Sequence, residues 1–195
     1  EDYEQSSSGT IKFCRAQISN PAFVVRGVVE ITAVEDAQHA VGIIKKRIYS
    51  SAPTNEWAEG AFSSRNGYPC AAVIFEERLV LAGSKHNPNR LFFSKSHEWD
   101  NFLIGANDND AIDITLSSDT VNEIVWMIAQ NDLVIGTLDA EWVLMTDGIM
   151  TPSNLPSALP QSVYGSTVIP AFIAGDTVMF VQRKARKLRQ FMYSN

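Results

Sequence analysis

Two pairs of near-neighbour carboxylates, Glu76 with Glu77 and Asp139 with Glu141, are the groups whose type suits acid–base chemistry. Glycoside hydrolysis needs two carboxylates flanking one bond. The chain holds 22 Asp and Glu against 16 Lys and Arg, so such neighbours are expected from composition, and no spacing singles out a pair. A third group, Asp108-Asn109-Asp110-Ala111-Ile112-Asp113, offers the oxygens that calcium takes. As an EF-hand loop it fails: Ile112 falls at position 5, Asp113 at position 6 where Gly is required, and Asp119 at position 12 where Glu is required. Asp108 and Asp110 are thus expected in a polar loop before a strand, and no metal is assigned. His39, His86 and His97 stand apart from any nucleophile in a G-x-S-x-G elbow. There is no phosphate-cradling glycine loop and no dinucleotide fingerprint. Cys14 and Cys70 are too few for a disulfide scaffold or, alone, a zinc site, and read as buried thiols. No catalytic, cofactor-binding or metal residue is assigned, and an enzyme is not expected.

The net charge of −6 argues against general nucleic-acid binding, and its distribution says more. Between Ser96 and Gln182 there is no Lys or Arg, whereas twelve carboxylates run from Glu98 to Asp176. Arg183, Lys184, Arg186, Lys187 and Arg189 then crowd together. One reading is a solvated acidic surface plus an exposed basic edge strand, where cations deter aggregation. The other is a subunit whose acidic and basic faces meet across an oligomer contact, or an acidic wall past which DNA slides without sticking. No apolar run approaches the roughly 20 residues of a membrane-spanning helix. The chain has no initiator Met, no signal-peptide pattern, and stops just after a strand-like run, so a fragment of a longer protein is expected.

The elements that would carry these groups read as strands. Hydrophobic content is 45% and charged content 19%, which suits a folded protein. Residues 1–55 look like a small β-domain: Ile11–Cys14, Phe23–Val25, the β-branched run Val28–Val34, and His39–Tyr49 as strand rather than helix, with Ser50–Asn55 as exit linker. Residues 56–195 read as three blade units. The clearest spans Asn66–Phe102: the runs Ala71–Phe75, Leu79–Ala82 and Leu91–Ser94, separated by Glu76-Glu77-Arg78 and a polar loop from Ser84 to Asn89, form an antiparallel meander. Ala111–Leu116 alternates as a half-buried strand should. A second unit holds Ile124–Ala129, Leu133–Thr137 and Glu141–Met145, followed by a proline-containing loop over Met150–Gln161. The third holds Thr167–Ala174, Thr177–Val181 and a basic closing strand through Phe191.

Val80, Val134 and Val178 correspond in the second strand of each unit, at spacings of 54 and 44 residues. Periods of about 40–50 residues with three or four strands each are those of β-propeller blades. Thr137–Trp142 is similar to the Asp-box hairpin, with Glu141 where Gly is wanted, and Trp99-Asp100 matches an unrepeated WD dipeptide. The expected fold is therefore all-β: a small β-domain, then a partial, propeller-like set of antiparallel blades.

A series of short matches runs in order from Trp57 to Tyr193. It comprises Trp57 with Ala61-Phe62-Ser63 and Gly67-Tyr68-Pro69; Phe75–Leu79 with Ala82-Gly83; Ser94 with Trp99–Phe102; and Asp110–Ile112. It continues with Asp132–Thr137 and Glu141-Trp142, Thr151–Asn154, Gln161–Gly165, and Phe180–Arg183 with Arg186–Arg189. In these the chain resembles the tail tubular protein B, or tail nozzle, family of short-tailed phages and related prophage tail proteins. The resemblance implies a virion structural protein whose subunits form a ring, usually a hexamer, below a neck or adaptor protein. The ring would line the conduit through which phage DNA passes without specific binding. It implies no cofactor and no catalytic residue, and family members are several times longer than this chain. A glycan-binding or glycan-cleaving propeller of the tail is the alternative.

Overall fold

The computed structural model describes residues 9–12, 27–36, 39–46, 48, 60–117 and 122–192. They fall in two compact units, Glu1–Glu59 and Gly60–Asn195. The protein is all-β, in four antiparallel sheets, and no helix occurs among the described residues; none is long and apolar enough to cross a membrane.

In the first unit β1 (Gly9–Lys12), β2 (Val28–Val34) and β3 (His39–Lys46) form a sheet of order β1-β3-β2. The β-branched run and the strand reading of His39–Lys46 are both realised. Asp36 shapes the β2–β3 turn: its carboxylate accepts the His39 backbone N–H at 2.8 Å and meets the His39 ring at 2.7 Å. Phe13-Cys14, Phe23–Val25, Tyr49 and the Ser50–Asn55 linker lie outside the described residues, as do Trp57, Asp119 and Tyr193.

The second unit contains three sheets. The first joins β4 (Ala71–Phe75), β5 (Arg78–Ser84), β6 (Asn87–Phe93) and β7 (Ile112–Thr115) in chain order. The second joins β8 (Ile124–Ala129), β9 (Leu133–Thr137), β10 (Glu141–Met145) and β11 (Ser157–Ser162). The third joins β12 (Phe172–Ala174), β13 (Thr177–Val181) and β14 (Leu188–Gln190).

Four expectations about segments change. Within Ser84–Asn89 only Lys85-His86 form a turn, and the rest of that polar stretch belongs to β5 and β6. Gly83, at φ +72°, sits where the β5–β6 register shifts, and Pro88 lies beside that irregularity and beyond the end of β7, where its missing N–H costs no ladder bond. Met150–Gln161 is not loop throughout. Its second half pairs with β10 as an edge strand, and Pro160 sits opposite Trp142 next to a β-bulge. Thr167–Pro170, although β-branched, meets the third sheet only through the Thr167 N–H bond to the Val181 carbonyl at 3.1 Å, and the strand begins after Pro170. Arg183–Lys187 is a turn, with Lys184 at φ 75° and Ala185 at φ 51°, so the basic run is a hairpin tip and the strand is confined to Leu188–Gln190.

The three sheets stack face to face, as alternation requires when both faces of a strand are apolar. Between the first and second sheets lie Val80, Leu91, Phe93 and Ile112 from one side and Ile124, Leu133, Ile135, Trp142 and Leu144 from the other. Between the second and third lie Val125, Trp126, Val134 and Val143 against Val178, Phe180 and Phe191. Trp126 fits because Gly136 is opposite it: a Cβ there would stand 2.1 Å from the indole. Val80, Val134 and Val178 are each buried in the second strand of their sheet. Val80 and Val134 face the next sheet, however, whereas Val178 faces the previous one. The repeat is one of topology, displaced by one residue in the third unit.

Candidate functional site

Two buried charges anchor the long connections. Arg78 opens β5 and is only 2% exposed. Its guanidinium donates to the carbonyls of Ser94 at 2.9 Å, Asp110 at 2.7 Å and Asp108 at 2.9 Å. A longer reach of 3.5 Å meets the Met150 carbonyl across the sheet boundary. Desolvation pulls its pKa down, opposed by the carboxylates of Glu76 and Asp110. Five N–H donors in a fixed fork suit an array of carbonyls that a lysine could not span. Arg78 therefore holds the 94–110 connection over the end of the first sheet.

Glu141 opens β10 and is fully buried. It accepts hydrogen bonds from the hydroxyls of Ser162 and Ser166, the latter at 2.8 Å, and from the backbone at Tyr164 and Gly165. Burial raises its pKa above the ordinary 4.5, against the lowering effect of those donors. It ties the second sheet to the segment that leads into the third. Neighbouring Thr137 closes the β9–β10 turn, its hydroxyl donating to the Ala140 carbonyl at 2.7 Å.

The carboxylates considered for catalysis are thus dispersed. Glu76 and Glu77 are the central residues of the β4–β5 hairpin turn, at φ 45° and 61°. Asp139 lies on the β9–β10 turn and pairs with Arg183, and Glu141 is sealed inside. In the calcium-like loop Asp110 accepts from the Asn107 backbone at 2.9 Å and its amide at 3.0 Å, and Asp113 pairs with Arg90. Among the described residues no three His, Cys, Asp or Glu side chains converge as a metal site. Ser96, His97 and Glu77 do form a chain, with contacts of 3.0 and 3.2 Å, which the sequence did not reveal. His97 and Glu77 are 72% and 66% exposed there, so water competes for every bond. Cys70, read as buried, belongs to an exposed residue, although its thiol donates to the Ile124 carbonyl at 3.0 Å and is pushed up in pKa by burial and by Glu123.

What remains is surface, and the meander sorts it. Alternate turns of an antiparallel meander emerge at opposite ends of a sheet, and the sheets share a direction. Gln130 bonds the Asp176 carbonyl at one end, while Cys70 meets Ile124 and Asp139 meets Arg183 at the other. At the first end the hairpin turns carry Glu76 and Glu77, Asp132, and Asp176. Its longer connections add Glu98, Asp100, Asp108 and Asp110, against Lys95, and then Asp147. Glu98 is held low in pKa by hydrogen bonds from Asn101 and Lys95. At the opposite end the turns carry Lys85 and the tip Arg183, Lys184, Arg186 and Lys187, with Glu123 and the paired Asp139. Most described carboxylates of the acidic stretch lie at one end of the stack, and the basic cluster lies at the other.

Both outward sheet faces carry exposed apolar side chains, beside the Arg90–Asp113 ion pair on the first. Ile74 is 51% exposed beside half-buried Leu79 and Leu81 on the first sheet, and Phe172 and Leu188 are 50% and 54% exposed on the third. The chain matches no known family model, and no curated protein matches it closely enough to count as a relative.

Proposed function

We propose that this chain is a structural part of a phage virion, a component of the tail tube or nozzle that assembles into a ring around the genome-delivery conduit. The observation that carries the reading is the three-sheet stack with exposed apolar side chains on both outer faces. Exposed apolar surface of this kind belongs to assemblies, where a neighbour covers it. Propeller-like stacking of blades accounts for the same faces, since each joint in such a stack repeats the one before. The collinear resemblance from Trp57 to Tyr193 supplies the virion context. Its residues include Arg78, Ser94, Thr137, Glu141 and Gly165, which here hold connections in place.

The test is microscopy and composition. Rings should be visible when the protein is purified and negatively stained, and it should be found in purified virions by mass spectrometry. A strictly monomeric protein that is missing from virions defeats the reading.

A further inference from the structure

The opposed charge of the two ends identifies how copies meet. We propose that the basic end of one copy docks on the acidic end of the next, making a head-to-tail contact between identical chains. This deepens the ring reading and rests on it for its biological setting, although the contact itself is a property of this chain.

Three observations point to a second copy as the occupant. The first is complementarity: Lys184, Arg186 and Lys187 are exposed at the hairpin tip with no ion-pair partner among the described residues, while Asp100, Asp147 and Asp176 are exposed at the far end, also without one. The second is apolar surface at both ends. Val163 and Val168 stand 84% and 76% exposed beside the basic tip, and Ile149 and Trp99 stand 82% and 54% exposed among the acids. Exposed apolar side chains among charged ones are the make-up of a protein interface, whereas a merely solvated charge cluster lacks them. The third is support: Arg183 is pinned to Asp139, and the Arg189 guanidinium lies 4.0 Å over the Tyr164 ring while its Nε donates to Gln182 at 3.0 Å. The tip is thereby presented from braced flanks. Different patches on each partner make the contact heterologous, and such contacts close into rings or run on as filaments according to the rotation between copies.

The experiment is a charge swap on the whole chain, read by analytical ultracentrifugation. Wild-type protein should associate at low ionic strength and dissociate as salt rises from about 0.01 M to about 1 M, where the screening length falls from about 30 Å to about 3 Å. The triple variant Lys184→Glu, Arg186→Glu, Lys187→Glu has two acidic ends and should sediment as a monomer. The triple variant Asp100→Lys, Asp147→Lys, Asp176→Lys puts three cations where the docking acids stood and should do the same. Mixing the two should restore association. Near-ultraviolet circular dichroism checks each fold, and the neutral versions, Gln for the cations and Asn for the acids, replace any variant that fails it and should still weaken association.

Wild-type protein that stays monomeric at the lowest salt overturns the proposal, as does a mixture that stays monomeric. Binding of a DNA duplex by monomeric wild type, lost in the first variant, overturns it in favour of a polyanion site. If the protein still forms rings when its basic tip is reversed, the ring reading stands and only this contact is wrong.

Discussion

Arg78 and Glu141 are each the first residue of a strand that otherwise reads as apolar, and each spends its charge on connections rather than on solvent. Replacing Arg78 by Ala leaves the Ser94, Asp108 and Asp110 carbonyls without their donor. We expect a loss of about 3–5 kcal/mol in urea unfolding, comparable to breaking a buried ionic contact, with faster proteolysis in 94–110. Arg78→Lys should recover only part of it. Glu141 gives a pH signature. Its pKa is raised on folding, so the folded state binds its proton more tightly than the unfolded state does. Stability therefore rises as pH falls through the window above 4.5. The variant Glu141→Gln lacks that contribution. The difference in unfolding free energy between wild type and variant should shift toward wild type as pH is lowered from about 7, and a pH-independent difference would count against the assignment. Neither role was legible in the sequence, because the partners are backbone carbonyls and hydroxyls 16 to 32 residues away. The available signal was positional: a lone charge opening an apolar strand immediately after a hairpin turn.

The β4–β5 hairpin has an ordinary pairing and an unusual turn. Both central residues, Glu76 and Glu77, have positive φ, a conformation that favours an Asn-Gly dipeptide in two-residue hairpins. The double replacement Glu76→Asn with Glu77→Gly should stabilise the protein by about 1–2 kcal/mol, read as a higher urea midpoint at unchanged slope. The strands themselves were well marked where β-branched residues alternate between turn signals, as in β4, β8 and β9. They were hidden where proline sits at a sheet edge, as at Pro160 in β11, because edge strands tolerate the missing N–H. The reverse error came at Thr167–Ile169, where β-propensity is high but pairing with β13 stops at the single Thr167 N–H bond to Val181 before Pro170.

The stack has a large core between its first two sheets and a smaller one between the second and third. Phe180→Ala empties the centre of the smaller joint, where the ring packs 5.9 Å from Trp126. We expect a loss of about 3–5 kcal/mol, and hydrogen exchange should accelerate first in Phe172–Gln190 while β4–β9 stays protected. Uniform acceleration across all three sheets would mean the joints are one cooperative block. The antiparallel class and the repeated hairpins were readable from the chain alone. The sorting of charge to opposite ends was not, because it depends on which turns share an end and on the sheets running in one direction. The two joints also differ in a way useful at the bench. Trp142 lies in the larger core and Trp126 in the smaller, with Trp99 exposed. With Trp57 and Trp99 replaced by phenylalanine, replacing either buried indole as well leaves the other as an intrinsic emission reporter of its own joint, so the protein can be given an optical readout of whether its layers separate together or in turn.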